Sequence, residues 1–207
     1  MGNGPSLSQL PDDFLYSRPR ICLNYYPVFH RVLPTFWTSW DKLPILEVFP
    51  AVQDAGIPII LHPRHKTMFA RHGLSDSGVH WWKVTDEQLG FGWDGKIGSV
   101  RYTSSIHWAA HIALLFLGFT TLLVVGFDCD RGSGTYEGMG IGPLPHFWDP
   151  GRPSQGYQPS WDRQFAILKN DWESRSGYKV VNITPGSKAR FFEAEDWRKY
   201  YAPSGED

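Results

Sequence analysis

The chain has 207 residues, a formal net charge of -1 and 20% charged residues. This length is compatible with one domain that buries a sizeable core, and the balanced charge argues against a nucleic-acid-binding protein, which would carry a basic surplus. Two cysteines are too few for a disulfide framework, and the N-terminus shows no basic region followed by an apolar run. We therefore expect one cytoplasmic domain over residues 1–207, with buried thiols at Cys22 and Cys129.

The first third of the chain alternates short apolar runs with a helical segment. Residues 20–27 (RICLNYYP) and 34–40 (PTFWTSW) are predicted strands, and residues 57–63 (IPIILHP) are a third, shorter and wholly apolar. Residues 43–56 have a helical pattern that Pro50 is expected to interrupt. Such an alternation of strand and helix is typical of an α/β protein.

The clearest helix–strand pair lies in the middle of the chain. Residues 103–118 begin with Thr and Ser cap candidates and end at a glycine, which predicts a helix. Residues 120–130 (TTLLVVGFDCD) show no alternation, which predicts a strand buried on both faces. The apolar stretch 106–127 is long enough to span a membrane, but Gly118 divides it and its second half is β-branched. We therefore expect no transmembrane segment.

The last third combines a long loop with further α/β elements. Residues 130–163 are rich in Gly, Pro and aromatic side chains, and a loop of that length inside a domain is usually functional. We expect it to form a lid over a ligand site. Residues 160–177 are a predicted amphipathic helix, 178–187 a last strand and 194–201 a short terminal helix. Together these elements predict a single Rossmann-like α/β domain with a mainly parallel sheet and a long lid-like loop.

Polar residues collect where the predicted strands end, while the strand bodies are apolar. In parallel sheets of this kind, ligands bind in the crevice at the carboxyl ends of the strands. The polar residues at those ends are Asn24, Ser39, Asp41, Ser104, Ser105, Asp128, Asp130 and residues 184–187.

Two glycine- and serine-containing segments are candidate anion sites. Gly2 and Gly4 in the opening GNGPS would let backbone N–H groups approach a phosphate, and Ser6 would cap the helix that follows. An ordinary Gly-Pro turn is the alternative. Ser104 and Ser105 stand at a predicted helix N-terminus, where they either cap the helix or bind a ribose or phosphate.

Histidines and an aspartate are the candidates for acid–base chemistry. His107 and His111 have metal-ligand spacing, but no third ligand stands nearby, so packed histidines and no metal site are predicted. Asp128 at a strand end would bind a ribose hydroxyl, act as a base or cap the turn. His146 on the long loop is a candidate general base, with plain exposure as the alternative.

The order of these segments resembles a known family. The segments on which the resemblance rests are GNGPS near the start, a strand ending in Asn, the run SSIHWAAHIALLFLGFTTLLVVGFDCD, a Tyr six residues beyond the last Asp of that run, and TPGSKARFF. They resemble the bacterial sialyltransferases that make lipooligosaccharide ends. They also resemble the wider set of Rossmann-like proteins of unknown function, many from phages, that border on archaeal 6-hydroxymethylpterin diphosphokinases. The similarity spans residues 2–192.

The resemblance implies a site for a nucleotide-sugar, with CMP as the nucleotide, and a metal-free transfer. It implies that Tyr136 supports the leaving phosphate and that Asp128 is the strand-end acid. The nucleotide-binding residues that it implies are Gly2, Asn3, Gly4, Ser6, Asn24, Ser39, Ser104 and Ser105, with Asp130 at the position of a second phosphate-binding tyrosine.

The chain departs from the family pattern at several positions. Ser105 replaces a glycine, and the charge of Asp130 would repel a phosphate. The family's base histidine falls near residues 157–159, where there is none, so His146 would have to replace it by a different loop path. The family also has an apolar strand before GNGPS; we expect a start upstream of Met1 or another element in that place.

These observations predict a nucleotide-sugar-dependent glycosyltransferase of the CMP-sugar type, acting on an unknown acceptor without a metal or other cofactor, or a catalytically altered relative of one. Two alternatives stay open. One is a diphosphokinase-like phosphotransferase that uses ATP and Mg²⁺, with the metal held by Asp128 and Asp130. The other is a non-catalytic binding or assembly protein on the same fold.

Overall fold

The computed structural model describes residues 1–2, 4–26, 32–83, 105–127, 177–187, 189 and 193–201. Within these residues the chain forms helices and parallel β-sheets, which confirms the α/β class. The chain divides into two compact units. We call Pro19–Phe119 the four-strand unit, and Met1–Arg18 together with Thr120–Asp207 the three-strand unit.

Short helices and strands alternate along the described residues. The helices are α1 (Asp12–Tyr16), α2 (Lys42–Asp54), α3 (Lys66–His72) and α4 (Ser105–His111). The strands are β1 (Ile21–Leu23), β2 (Phe36–Thr38), β3 (Ile59–Leu61), β4 (Val79–Trp81), β5 (Thr121–Val124), β6 (Lys179–Asn182) and β7 (Glu193–Ala194).

The sheet of the four-strand unit follows the sequence order β1-β2-β3-β4, and each neighbouring pair is parallel. Ile21 lies opposite Phe36, and Ile59 lies opposite Val79. Helix α2 connects β2 with β3, and α3 lies between β3 and β4, as parallel neighbours require. Because all four strands run the same way, their carboxyl ends meet at one edge of the sheet. The strands predicted in this region are confirmed with shorter bounds.

Helix α2 runs through Pro50 to Asp54, so the predicted interruption is wrong. Ile45, Val48, Phe49 and Val52 are buried at helical spacing, and this face stabilises the helix against the loss of one hydrogen bond at the proline. The helix ends in a turn whose Gly56 has a φ of 67°, and the Ile57 N–H donates to the Val52 carbonyl.

Helix α4 continues into a π-helical turn, Ile112–Phe116, and the segment ends at Gly118 with a φ of 73°. Its Trp108 and Ile112 pack with Trp40 and Ile60 in a buried cluster. The predicted helix with a glycine end is therefore confirmed, and His111 is buried as a packed histidine would be.

The sheet of the three-strand unit has the order β5-β6-β7, again parallel throughout. The predicted strand in 120–130 is confirmed over Thr121–Val124, but the prediction that it is buried on both faces is wrong. Thr121 is exposed, and Leu122 and Leu123 are only half-buried. Within the described residues β5 also stands at the end of the strand order and pairs with β6 alone.

The N-terminal segment docks beyond the end of β5. The Gly2 N–H donates to the Val125 carbonyl at 2.8 Å, and the Gly4 N–H donates to the Gly126 carbonyl at 2.9 Å. A Cβ on Gly2 would stand 2.4 Å from the Gly126 oxygen, so only glycine fits this approach. A 3₁₀ turn over Pro5–Gln9 follows, with Gly4 as its N-cap. Ser6 lies inside this turn and the next helix is capped by Pro11, so the prediction that Ser6 caps a helix is wrong.

Other predictions meet the structure in part. Cys22 is buried, and burial raises the pKa of its thiol to about 12. The last predicted strand is confirmed as β6, and the terminal helix is a 3₁₀ turn over Trp197–Tyr200. None of the helices in the described parts of the chain is long and apolar enough to cross a membrane. Cys129, the lid segment 130–163 and most of the predicted helix 160–177 lie outside the described residues.

Candidate functional site

The carboxyl edge of the four-strand sheet brings several polar side chains together. Asn24 directly follows β1, and Ser39 directly follows β2. Ser105 begins α4, more than sixty residues further along the chain. Because this is the edge at which ligands bind in parallel sheets, these side chains define the candidate site.

Asn24 is the centre of the cluster. Its Oδ1 accepts hydrogen bonds from the Ser39 hydroxyl at 2.8 Å and from the Ser105 hydroxyl at 2.7 Å. Its backbone has a φ of 51°, a left-handed conformation that Asn tolerates better than most residues. The Asn24 carbonyl accepts from Trp37 Nε1 at 2.8 Å, and the Asn24 N–H donates to the Thr38 carbonyl. The turn after β1 is thus fixed so that the amide faces the two serines.

Asp41 extends this cluster toward α2. One carboxylate oxygen, Oδ2, lies 3.2 Å from the Ser105 hydroxyl and 3.5 Å from Asn24 Nδ2. The Asp41 N–H donates to the Ser39 hydroxyl at 3.1 Å, and the Trp40 N–H donates to the Ser105 hydroxyl at 2.9 Å. No donor of the described residues reaches the other carboxylate oxygen, Oδ1. As far as the described residues go, Oδ1 is therefore an unused acceptor.

The surroundings of Asp41 favour its neutral form more than water would. Burial of the carboxylate raises the pKa of Asp41, and the hydrogen bonds from Ser105 and Asn24 and the charge of Arg64 only partly offset this. Ser105 has a single hydroxyl proton, which Asn24 Oδ1 and Asp41 Oδ2 share as acceptors. A carboxylate with a raised pKa and an open oxygen is suited to accept a proton from a substrate hydroxyl.

A second group of side chains follows β3. The Arg64 guanidinium lies over the indole of Trp40, with Cζ 3.8 Å from the ring centroid, and its Nη2 donates to the Trp40 carbonyl at 3.3 Å. Burial lowers the pKa of Arg64, whereas the charge of Asp41 raises it; a guanidinium nevertheless stays protonated. A positive, planar donor group is therefore held beside the hydroxyl cluster.

His62 packs between two indoles on the same side. Its ring centroid is 5.2 Å from that of Trp40 and 5.3 Å from that of Trp108. Its Nδ1 accepts from the Arg64 backbone N–H at 3.1 Å, so the neutral ring carries its proton on Nε2. Burial, with the nearby charges of Arg64 and Lys83, lowers the pKa of His62. His62 is therefore a neutral donor at physiological pH.

His65 is a buried histidine without hydrogen bonds. It is 1% exposed, and neither ring nitrogen has a partner among the described residues. Burial first, and then the charges of Arg64, His62 and Lys42, lower the pKa of His65 to about 4. The imidazole thus packs as a neutral ring against Trp40, with 6.1 Å between ring centroids.

Another polar cluster lies at the carboxyl edge of β5 and β6 in the three-strand unit. Asn182 Nδ2 donates to the Ser187 hydroxyl at 2.9 Å, and the Ser187 hydroxyl donates to the Phe127 carbonyl at 2.6 Å. Thr184 Oγ1 accepts from the Phe127 N–H at 3.1 Å, and the Thr184 N–H donates to Asn182 Oδ1 at 3.1 Å. The hydrogen bonds of these side chains go to one another and to the backbone.

The structure brings some of the predicted site residues together and not others. Asn24, Ser39 and Ser105 form the hydrogen-bonded cluster described above. Gly2, Gly4 and Ser6 belong to the three-strand unit, where the two glycine N–H groups already donate to carbonyls and Ser6 is buried. Their part in binding stays a prediction. The predicted residues that lie outside the described part of the chain are Asn3, Ser104, Asp128, Asp130, Tyr136 and His146.

Sequence reasoning assigned no role to three residues that the structure places at this edge. Asp41 is predicted only as one of the polar residues at the strand ends, and no role is predicted for His62. Arg64 lies in a basic stretch of the sequence, HPRHKTMFARH, which predicts no particular role for it. The available signal was position, because HPRH directly follows the apolar strand β3, as Asn24 follows β1.

The described residues contain no group of three or more His, Cys, Asp or Glu side chains placed to hold a metal ion. The fold and the site define an α/β protein with parallel sheets and a polar, partly basic carboxyl edge. Comparisons with protein-family models, with curated proteins and with solved structures found no match to this chain.

Proposed function

We propose that this chain is a nucleotide-sugar-dependent glycosyltransferase of the CMP-sugar type, with a Rossmann-like fold and a metal-independent reaction, or a catalytically altered relative of one. The observation that carries the proposal is the convergence of Asn24, Ser39 and Ser105 at the carboxyl edge of a parallel sheet. Three hydroxyl- and amide-bearing side chains from three chain segments meet where such sheets bind nucleotides.

The chemistry of the cluster fits the sugar part of a nucleotide. Ribose hydroxyls both donate and accept hydrogen bonds, and the Ser39 and Ser105 hydroxyls and the Asn24 amide do the same. Asp41 Oδ1 adds an acceptor. Each group is held by further bonds, such as that from the Trp40 N–H to Ser105, so little side-chain freedom is lost on binding.

In the proposed reaction the sugar leaves CMP as an oxocarbenium-like species. Positioning of the donor and stabilisation of the leaving phosphate would then supply most of the rate enhancement. Asp41 is the described carboxylate best suited to take the proton of the acceptor hydroxyl, because its pKa is raised. Tyr136 at the leaving phosphate, with Asp128 and His146, completes the proposal from the family resemblance, and the lid over residues 130–163 remains part of it.

A thermal-shift series with CMP, CDP, UDP, GDP and ATP, each with and without Mg²⁺, tests the proposal. We expect CMP to stabilise the protein without Mg²⁺, by about 2.7 kcal/mol at a hundred times its Kd. Stabilisation by ATP with Mg²⁺ alone would instead identify the phosphotransferase. No response to any nucleotide would favour the non-catalytic protein.

Two serine variants make the test specific to the site. Ser39→Ala removes a buried hydroxyl that donates to Asn24, and we expect it to reduce the response to CMP. Ser77→Ala removes an exposed hydroxyl elsewhere in the same unit and is expected to leave the response unchanged. Release of CMP from a CMP-sugar, followed by chromatography, then separates an active transferase from an altered relative that only binds.

A further inference from the structure

Arg64 is held in one orientation although it is exposed. Its guanidinium lies 3.8 Å above the Trp40 ring, and Nη2 donates to the Trp40 carbonyl at 3.3 Å. An arginine stacked on an indole gains cation–π attraction and keeps its fork of donors in a plane. The entropy of ordering this long side chain is thus lost on folding and not on binding.

Most of the hydrogen-bonding capacity of this guanidinium is unused by the described residues. A guanidinium has five N–H donors, and the bond to the Trp40 carbonyl uses one of them. No carboxylate in the described ranges lies within the 4.0 Å of an ion pair with it, and Asp41 acts on it only from a longer distance. The remaining donors suit an oxyanion, which a planar fork binds through two parallel bonds.

Among the described residues, the charged groups that act on this edge are mostly positive. Lys83 lies close enough to His62 to lower the pKa of its imidazole, and Lys42 has the same effect on His65. Asp41 is the negative group that acts on Arg64. Cations that outnumber the acid beside them attract an anion.

Trp40 connects this guanidinium to the hydroxyl cluster. Its N–H donates to the Ser105 hydroxyl at 2.9 Å, and its carbonyl accepts from Arg64 at 3.3 Å. The two groups are therefore separated by one residue and two hydrogen bonds, roughly 10 Å at most. One nucleotide reaches across such a span, with the ribose at the hydroxyls and the phosphate at the arginine.

We infer that Arg64, held on Trp40, binds the phosphate of the nucleotide and makes this edge select nucleotides over nucleosides. This inference rests on the proposed function, because it takes the ligand to be a nucleotide. It assigns to the arginine a role that the family resemblance does not supply. The competing explanation is structural: Arg64 only braces Trp40 against the sheet.

Calorimetric titration with CMP and with cytidine tests the inference, because the two ligands differ only in the phosphate. We expect the wild-type protein to bind CMP about 10- to 100-fold more tightly than cytidine, as a charge-assisted pair contributes. Arg64→Gln should weaken CMP binding by a similar factor, about 10- to 100-fold, and leave cytidine binding unchanged. Glutamine keeps a planar donor but loses the charge and the stacking, and cytidine binding shows whether Trp40 is still supported.

Arg71→Gln is the matched control. Arg71 is exposed on α3, so its replacement changes the net charge equally, and CMP affinity is expected to stay at the wild-type value. Arg64→Lys keeps the charge but loses the planar fork, and an intermediate CMP affinity is expected. Thermal unfolding of each variant shows whether the fold is retained.

The outcomes separate the inference from the function on which it rests. Equal binding of CMP by Arg64→Gln and wild type would overturn the inference and leave the proposed nucleotide site standing. An equal loss of CMP and cytidine binding would assign Arg64 to bracing the site and would overturn the inference too. If the wild type binds neither CMP nor cytidine, the proposed function fails and the inference fails with it.

Discussion

The two sheets of this protein end in polar clusters that are built differently. At the edge of β5 and β6, Ser187 and Thr184 bond to the backbone at Phe127, and Asn182 bonds to both of them. At the edge of the four-strand sheet, Asn24 bonds to two serine side chains, and each serine also accepts from a backbone N–H. There Asp41 and Arg64 keep hydrogen-bonding capacity that the described residues do not use.

The difference between these two clusters shows how a cluster that supports the fold can be distinguished from one that binds a ligand. Polar residues at strand ends are expected in both cases, because the backbone there needs partners. A cluster that satisfies backbone groups contributes to stability, and each bond removed costs free energy. A cluster that also leaves a donor or acceptor open, as Asp41 and Arg64 do among the described residues, is in addition available to a ligand.

The largest expected effect concerns the packing of the three-strand unit. Gly126 and Gly186 both have a φ of 67°, but a Cβ on Gly126 would stand 2.8 Å from Leu7 Cγ, while a Cβ on Gly186 meets nothing within 4 Å. Gly126→Ala should lower the free energy of unfolding by about 2–5 kcal/mol through strain and overpacking. Gly186→Ala should cost about 1–2 kcal/mol, through backbone strain alone.

Urea denaturation followed by circular dichroism measures both variants. Gly186→Ala is the matched control, because it has the same φ without the contact. Equal losses for the two alanines would show that the N-terminal segment yields, and that this unit is less tightly packed than its cluster suggests.

The second-largest expected effect distinguishes Asn24 from Asn182. Asn24→Ala should lower the free energy of unfolding by about 2–4 kcal/mol, because two buried hydroxyls each lose one of their two acceptors and alanine is strained at a φ of 51°. It should also weaken CMP binding. Asn182→Ala should cost about 1–3 kcal/mol and leave CMP binding unchanged, because its bonds serve the fold.

Chemical denaturation and calorimetric titration of the same preparations check this pair. Asn24→Gly removes the side chain without backbone strain, so the part of the loss that it shares with Asn24→Ala belongs to the amide. CMP affinity that falls in Asn182→Ala and not in Asn24→Ala would reverse the assignment of the two clusters.

The smallest expected effect is a dependence of stability on pH at the binding edge. The pKa of His65 falls from 6.5 to about 4 on folding, so the unfolded chain binds more protons between these values. The contribution of His65 is therefore complete above pH 6.5 and is lost as the pH falls toward 4. The loss is on the order of 3 kcal/mol at most.

Comparison with His65→Leu isolates this contribution. The raised pKa of Asp41 acts in the opposite direction, but it is common to both proteins and cancels in their difference. We expect the difference in unfolding free energy between the two proteins to change by about 2–3 kcal/mol between pH 7 and pH 4. His72→Leu, at an exposed position of α3, should parallel the wild type, and a parallel curve for His65→Leu would show that water reaches the imidazole.

Much of the fold could be predicted from the sequence because local rules and tertiary structure agree there. The run at β3 is apolar and short, and the helix before Gly118 has both its cap and its stop signal, so both predictions are confirmed. The interruption predicted at Pro50 is wrong because the buried face of α2 stabilises the helix by more than the loss of one hydrogen bond destabilises it. The predicted burial of β5 is wrong because an apolar run shows neither the place of a strand in its sheet nor what covers its two faces.

The candidate site could be predicted only in part from the sequence, for a similar reason. Asn24, Ser39 and Ser105 were predicted from their places at strand and helix ends, and the parallel sheet brings those ends together. Arg64 needs more than position, since its orientation comes from an indole 24 residues earlier. Side-chain stacking between distant residues leaves no mark in composition or periodicity.

The bonds at the two ends of Trp40 have a consequence for affinity. A ligand that touches both Ser105 and Arg64 is tethered at two points of one rigid residue, so the second contact forms at a high effective concentration once the first is made. Its two halves, offered as separate fragments, would each bind weakly, and the intact molecule would bind far more tightly than either. Small changes in the distance between those halves would then discriminate sharply among otherwise similar ligands.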